Sequence, residues 1–389
     1  MFAKKNKTSS TIWGAAFLMA TSAVGPGFLT QTTIFTEKLL ANFGFVILLS
    51  IVLDLGAQLN IWRIIAVTEK RAQDIANELF FGLGYLLSAL IVAGGLAFNI
   101  GNVAGAGLGV AAMSGLDAKV GALMSAALAI GIFLLPQASK VMDNFAKWLG
   151  LLMLLLIGYV VFSANPPLGA AILGTVFPQQ FDVLATVTLV GGTVGGYITF
   201  AGGHRLLEAG IKGQAALPQV NRSAAMGILV TSLMRYCLFL AVLGVVAAGF
   251  ALRKDNPPAS VFELAAGQTG YRLFGLLMWS AAITSVVGSA YTSISFVRTF
   301  HPWLAQKHRA LTVAFISIST VVFLLVGKPV QVLVLVGTLN GFILPVALAV
   351  MLVAARQKRL VGNYQHPVWL QVSGWLVVLI MSAMAIKLL

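Results

Sequence analysis

Apolar runs long enough to cross about 30 Å of hydrocarbon recur from one end of this chain to the other, with short polar connections between them. Their spacing predicts eleven membrane-spanning helices, over residues 12–39, 42–66, 82–112, 119–136, 142–163, 182–211, 222–251, 260–298, 309–326, 329–356 and 367–388. No connection is long enough to hold a soluble domain, so residues 1–389 read as one all-α transmembrane domain. The lysine-rich start and the apolar run behind it resemble a signal peptide. No small-residue cleavage site closes that run, however, and it reads as an uncleaved first span.

Two spans are interrupted. The first contains Gly25, Pro26 and Gly27 near its middle; the sixth contains Gly191, Gly192, Thr193, Val194, Gly195 and Gly196, with Gly202 and Gly203 further on. Glycine permits unwound backbone, and proline removes a donor and disfavours helix in the residue before it. In hydrocarbon such backbone survives only where protein or a water-filled cavity satisfies it. Small residues also serve simple close packing between helices, which accounts for Gly105, Gly107 and Gly109 in the third span. For the first and sixth spans the five-span separation carries more weight. Matching breaks in two halves point to an inverted-repeat transporter with its site at the membrane midplane.

Composition closes off other classes. The chain is 59% hydrophobic and 9% charged, whereas a soluble domain is roughly a quarter charged. The net charge of +14 invites a nucleic-acid reading, but the distribution of the charge argues against one. Lys70, Arg71, Arg205, Lys212, Arg298, Lys307 and Arg356 lie in or beside alternate connections, and the intervening ones hold few basic residues. That asymmetry places the N-terminus in the cytoplasm and, with an odd number of spans, the C-terminus outside a plasma (inner) membrane. The bilayer is then the expected partner, nucleic acid is not, and the sequence does not specify an oligomeric state. Cys237 is the single cysteine, which rules out an intramolecular disulfide and a cysteine-based metal site.

The residues also carry a resemblance. GAAFLMATSAVGPGF over 14–28 resembles the first helix of the Nramp (natural resistance-associated macrophage protein) transporters, which begins with glycine and reaches an Asp-Pro-Gly-Asn break at the same spacing. Gln58, Arg63, Val67 and Thr68 in the second span, and LPVAL over 344–348 in the tenth, match in the same order. The resemblance implies a LeuT-type fold in which helices one and six unwind midway. Inverted five-helix repeats would span about 12–163 and 182–356, with an extra helix at about 367–388. It also implies a divalent metal ion as cargo, and there the sequence departs from the family. The first-helix metal ligands fall on Gly25 and Phe28. The sixth-helix Met-Pro-His motif falls on Gly195, Gly196 and Tyr197, and the tenth-helix glutamine on Gly337. Two third-helix acids linked to proton movement fall on Asn99 and Asn102. Divalent ions need several ligand atoms in place of their water shell, so the departures disfavour a metal.

Glycines at those positions are expected to enlarge a cavity for a bigger solute. Thr30, Gln31, Thr32 and Thr33 open the second half of the broken first helix, where N–H groups and the helix dipole favour a carboxylate. Helix-end capping is the alternative use of that run. With Gly27, Thr193, Tyr197, Thr199, Asn99 and Asn102, they form the expected binding set for a small organic acid or amino-acid-like solute.

For coupling, Val24 beside the first break and Ala281, Thr284 and Ser285 in the eighth span resemble the sodium site of LeuT-type symporters. Sodium is one expected coupling ion and the proton another; no cofactor and no resident metal is expected. Asp54 and Arg235, deep in the second and seventh spans, are expected to pair, since a lone charge at the bilayer centre is unfavourable. Asp54 alone would carry an intramembrane-enzyme reading, and no second acid matches it. A transporter, not an enzyme, is the expectation.

Overall fold

The computed structural model of the protein describes residues 24–135 and 138–389, and between 138 and 150 it describes the backbone and the Trp148 side chain. The predicted first half-helix over 12–23 lies outside the described residues, as do Lys4, Lys5, Lys7 and Trp13. Helices account for the architecture throughout the described residues. In chain order they are α1 (Pro26–Leu39), α2 (Phe43–Thr68), α3 (Ala72–Leu79), α4 (Leu83–Ser114), α5 (Ala118–Leu134), α6 (Ala138–Ala164) and α7 (Leu168–Val176). There follow α8 (Val183–Thr193), α9 (Tyr197–Glu208), α10 (Leu217–Ala247), α11 (Pro257–Ser295), α12 (His308–Val326), α13 (Pro329–Ala354) and α14 (Val368–Leu388).

From the second span on, each predicted span coincides to within a few residues with a helix or, in the sixth, with two consecutive helices. Among the described residues, eight segments are long and apolar enough to cross a membrane, or nine if α6 and α7, bent by 109° at their junction, count as one broken span. α1 runs into α2 through a single 3-10 turn, and α5 is a shorter apolar helix. The expected eighth span over 260–298 is also not one helix. Gly267 (φ 64°, ψ −164°) breaks α11 into a short leading piece and a long span. An L side chain rarely adopts that φ, so glycine fixes the break there.

Helix starts follow local chemistry. Asp182 caps α8, its Oδ1 accepting from the Ala185 N–H at 2.8 Å, and binds Lys38 at 2.5 Å. Burial pushes the Asp182 carboxyl up, but Lys38 and the Ala185 N–H together outweigh it and hold the group below the usual carboxylate range. α10, α11 and α13 each carry proline in the first turn, where its missing donor is not needed.

α1 is the buried centre. Every residue from Pro26 to Thr33 is buried, enclosed by α4, α8, α10, α11 and α13. Lipid tails are as apolar as leucine, so the bundle is held by close packing at small residues and by interhelical hydrogen bonds of about 0.6–2 kcal/mol each. A Cβ on Gly105 would fall on the Pro26 ring, and one on Gly109 would strike Gly275 and Trp279; these two serve packing, as the sequence implies. Among the polar ties, Trp62 donates to the Thr199 carbonyl at 2.7 Å and Tyr236 to that of Gly44 at 2.9 Å. Much of the expected basic set gathers at one end, where Arg71 and Arg298 both bind Glu208 and Lys212 binds Glu69.

Candidate functional site

The two interruptions meet in the middle of the bundle. α1 starts at Pro26 with Gly25 as its extended N-cap and no side-chain cap. α8 stops at Thr193, and α9 restarts at Tyr197 after Gly196, whose φ of 51° and ψ of −127° suit glycine alone. Two apolar clusters flank the breaks. One contains Val24, Phe28 and Leu29 with Leu238 and Phe274; the other contains Val190, Val194 and Ile198 with Val336.

Between them lies a set of buried polar atoms. A Cβ on Gly25 would sit 3.3 Å from Ser285 Oγ and 3.6 Å from Asn102 Oδ1, so the first break, the third span and the eighth converge. The Tyr197 hydroxyl lies near Ser289 and Asn102, which adds the restart of the sixth span. Gln31 Nε2 donates to the Leu333 carbonyl at 2.8 Å, and Asn99 Nδ2 to that of Val286 at 3.2 Å. Seven side-chain atoms here are buried without a hydrogen-bond partner: Thr30 Oγ1, Gln31 Oε1, Asn99 Oδ1, Asn102 Nδ2, Thr199 Oγ1, Ser285 Oγ and Asn340 Oδ1. Native interiors leave few such groups, so their concentration at two helix breaks marks a place for a ligand.

Arg235 enters the same region from α10. It is 2% exposed, donates from Nη1 to Thr193 Oγ1 at 3.1 Å, and lies with its guanidinium carbon 4.3 Å from the Phe28 ring centroid. Asp54 interacts with it electrostatically, yet the expected direct pair does not form. Asp54 Oδ1 and Arg235 Nε and Nη2 remain without partners. The sequence places both charges at similar depth, but the rotation of each helix about its axis turns Arg235 towards the breaks.

Three further expectations change. The glycines do not open a cavity. A Cβ on Gly196 would run into the Asn340 amide, one on Gly195 into the Gly191 and Asn340 carbonyls, and one on Gly337 into Gln31 and Thr188. α13 packs closely on α8, and the space a side chain would fill is taken largely by backbone. The threonine run divides: Thr32 and Thr33 bond the Phe28 and Leu29 carbonyls of their own helix at 2.7 and 2.9 Å, leaving Thr30 free. In the ion set, Thr284 Oγ1 donates to the Ala281 carbonyl at 2.9 Å, while Ser285 Oγ is open beside Gly25. Asn340 and Ser289 were absent from the expected set. An amide inside the apolar tenth run is the signal that would have found the first; a serine in a serine-rich helix gives none for the second.

Buried helix ends that meet around unsatisfied polar groups in an all-helical bundle are the arrangement of the LeuT-type fold. The computed structure superposes on the manganese transporter of Eremococcus coleocola with a TM-score of 0.75 at 17% identity, covering 96% of this chain and 84% of that one. It superposes on MhsT, solved with L-phenylalanine, at 0.65 and 16% identity, covering 96% and 98%. The chain belongs to the natural resistance-associated macrophage protein-like (Nramp) family, whose sequence profile matches residues 16–389. It is 57% identical over 383 residues to the membrane protein YcsG of Bacillus subtilis, covering 98% of this chain and 95% of that one. Identity to the divalent metal cation transporter MntH of Aeromonas hydrophila is 26% over 401 residues, covering 97% and 95%. It is a multi-pass membrane transporter rather than an enzyme, and its family's transporters sit in the plasma membrane.

Proposed function

We propose that this chain is a symporter that moves a small organic acid or amino-acid-like solute by alternating access. The observation that carries the reading is the content of the junction between the breaks. Where the family's metal ligands would stand, the chain places Gly25, Phe28, Gly195 and Gly337, lined by neutral amides and hydroxyls with open hydrogen-bonding capacity. A guanidinium stacked on Phe28 is a poor neighbour for a doubly charged ion. At about 6 Å and an effective dielectric of about 20, the repulsion is roughly 5 kcal/mol. The fold accommodates such cargo, since MhsT was solved with an amino acid bound.

The proposed coupling ion is sodium, held by the Ala281 carbonyl, the hydroxyls of Thr284 and Ser285, and backbone carbonyls near Val24; the proton is the alternative. Replacing Thr284 and Ser285 together by alanine then removes the sodium dependence of uptake. Unchanged sodium dependence rejects that site.

A second reading has its own support. The names of MntH and of the Eremococcus coleocola transporter favour a divalent metal cation, for which unwound carbonyls would be the remaining ligands. Proteoliposome uptake decides between the two. Saturable, sodium-stimulated uptake of a small carboxylate or amino acid with no manganese accumulation supports the organic solute. Manganese uptake that is indifferent to sodium, with no organic solute carried, overturns it.

A further inference from the structure

We infer that Arg235 is the anion anchor of the central site, holding a small carboxylate substrate through its free Nε–H and Nη2–H. The inference rests on the organic-solute reading above and narrows it to anions. Four observations converge on this role. The side chain is buried, yet two of its nitrogens have no partner. The third, Nη1, is spent on Thr193 at the sixth-span break, which fixes the plane of the group. One face lies on the Phe28 ring, and this sets the other angle. What remains free is therefore one edge of the guanidinium, where the Nε–H and the adjacent Nη2–H point side by side. That edge matches the two oxygens of a carboxylate, and such bidentate pairs combine charge with geometric selection.

Simpler roles for Arg235 fit less well. A structural ion pair with Asp54 would place a carboxylate oxygen on that edge, and Asp54 Oδ1 has no partner. Asp54 instead offsets the positive charge from a distance without occupying the donors. Snorkelling to an interface does not apply to a guanidinium held between Thr193 and Phe28. Nor can arginine lose its proton to relieve burial. A buried, always-charged fork with an open edge, held at Thr193 and Phe28 next to the two breaks, is arranged to receive an anion. The neutral groups are left to read the rest of it.

The test uses purified full-length protein and a panel of acetate, lactate, pyruvate, alanine and proline, each acid beside its primary amide. Thermal shift reports binding and proteoliposome uptake reports transport. The expected result is stabilisation and uptake by one or more acids and by none of the amides. Arg235→Gln is expected to weaken the best acid about a hundredfold, about 2.8 kcal/mol. Arg235→Lys, which keeps charge but loses the fork, is expected to weaken it about tenfold. The acid–amide comparison on the unmodified protein stands even if a variant fails to fold. Amides binding as well as acids, no acid binding at all, or an Arg235→Gln affinity within twofold of the parent overturns the anchor. Uptake of amides alone overturns the anchor but leaves the organic-solute reading standing. Manganese uptake with no organic solute carried overturns both.

Discussion

Asn60 and Asp54 stand six residues apart on α2, about 9 Å along the helix axis, and each belongs to a buried polar cluster. Around Asn60 the hydrogen bonds close. Arg63 Nε donates to the Tyr364 hydroxyl at 3.0 Å, which lies 3.1 Å from His366 Nδ1. His366 Nε2 meets Asn60 Oδ1 at 2.7 Å, and Asn60 Nδ2 donates to the Gly56 and Leu370 carbonyls at 2.7 and 2.9 Å. Donors and acceptors run one way along this chain. That fixes the histidine as the neutral tautomer with its proton on Nε2. Around Asp54 the bonds stay open: Asp54 Oδ1 and Arg235 Nε and Nη2 have no partner, nor have Thr30 Oγ1 and Gln31 Oε1 on α1. Membrane interiors penalise unsatisfied polar groups, so one cluster reads as scaffold, complete without help. The other reads as a site that a ligand completes.

The largest expected effect is on the scaffold side. Asn60→Ala leaves His366 Nε2 unpaired and removes one bond from the Leu370 carbonyl, which keeps its bond from Ser373 Oγ. The unpaired group costs about 1–3 kcal/mol and the lost bond about 0.5–1.5 kcal/mol, so a loss of about 3 kcal/mol is expected. It should appear as a lowered thermal midpoint in detergent, equal with and without transported solute. A midpoint unchanged by Asn60→Ala would break the comparison, because the closed network would then stabilise nothing.

Much of this is legible in the sequence. Apolar runs gave the spans, and Gly25, Pro26 and Gly27 with Gly195 and Gly196 gave both breaks, because unwound backbone in lipid needs residues of those kinds. The break at Gly267 is not legible in the sequence, because the apolar pattern runs through it and a lone glycine does not declare its φ. The absence of the expected cavity has a related reason. A sequence records that side chains are missing at Gly195 and Gly337, not that α13 closes on α8 to use the space. The sequence shows Arg235 as a buried charge, but its role depends on how α10 is rotated, which apolar periodicity leaves open in a helix buried on several sides. The Asn60 network was invisible, since its members lie about 300 positions apart in sequence and meet only when α14 packs on α2.

A smaller effect comes from titrating the closed network. Burial, reinforced by the Arg63 charge, lowers the His366 pKa to about 4, against about 6.5 in an unfolded chain. The unfolded state therefore binds the proton first as pH falls. The stability contributed by neutral His366 is complete above about pH 6.5 and is lost as pH drops towards 4. With a discount for the partial exposure of the ring, the loss is about 1–2 kcal/mol. Midpoints measured from pH 7.5 to 4.5 should fall for the parent and fall less for His366→Gln. Parallel curves for the two proteins would remove His366 from the account.

The smallest expected effect is the sharpest test of the open cluster. Thr30→Val keeps the side-chain volume and deletes a hydroxyl that has no partner. Removing an unsatisfied buried group is neutral or mildly stabilising, so the ligand-free midpoint should stay within about 0.5 kcal/mol of the parent or rise. Thr32→Val, which deletes a hydroxyl bonded to the Phe28 carbonyl, provides the contrast within the same turn. If Thr30 Oγ1 is held open for cargo, its loss lowers the stabilisation that solute confers without lowering the midpoint of the empty protein, whereas Thr32→Val has no such selective effect. A ligand-free destabilisation by Thr30→Val as large as that of Asn60→Ala would mean that this hydroxyl is already satisfied, and the two clusters would then be built alike.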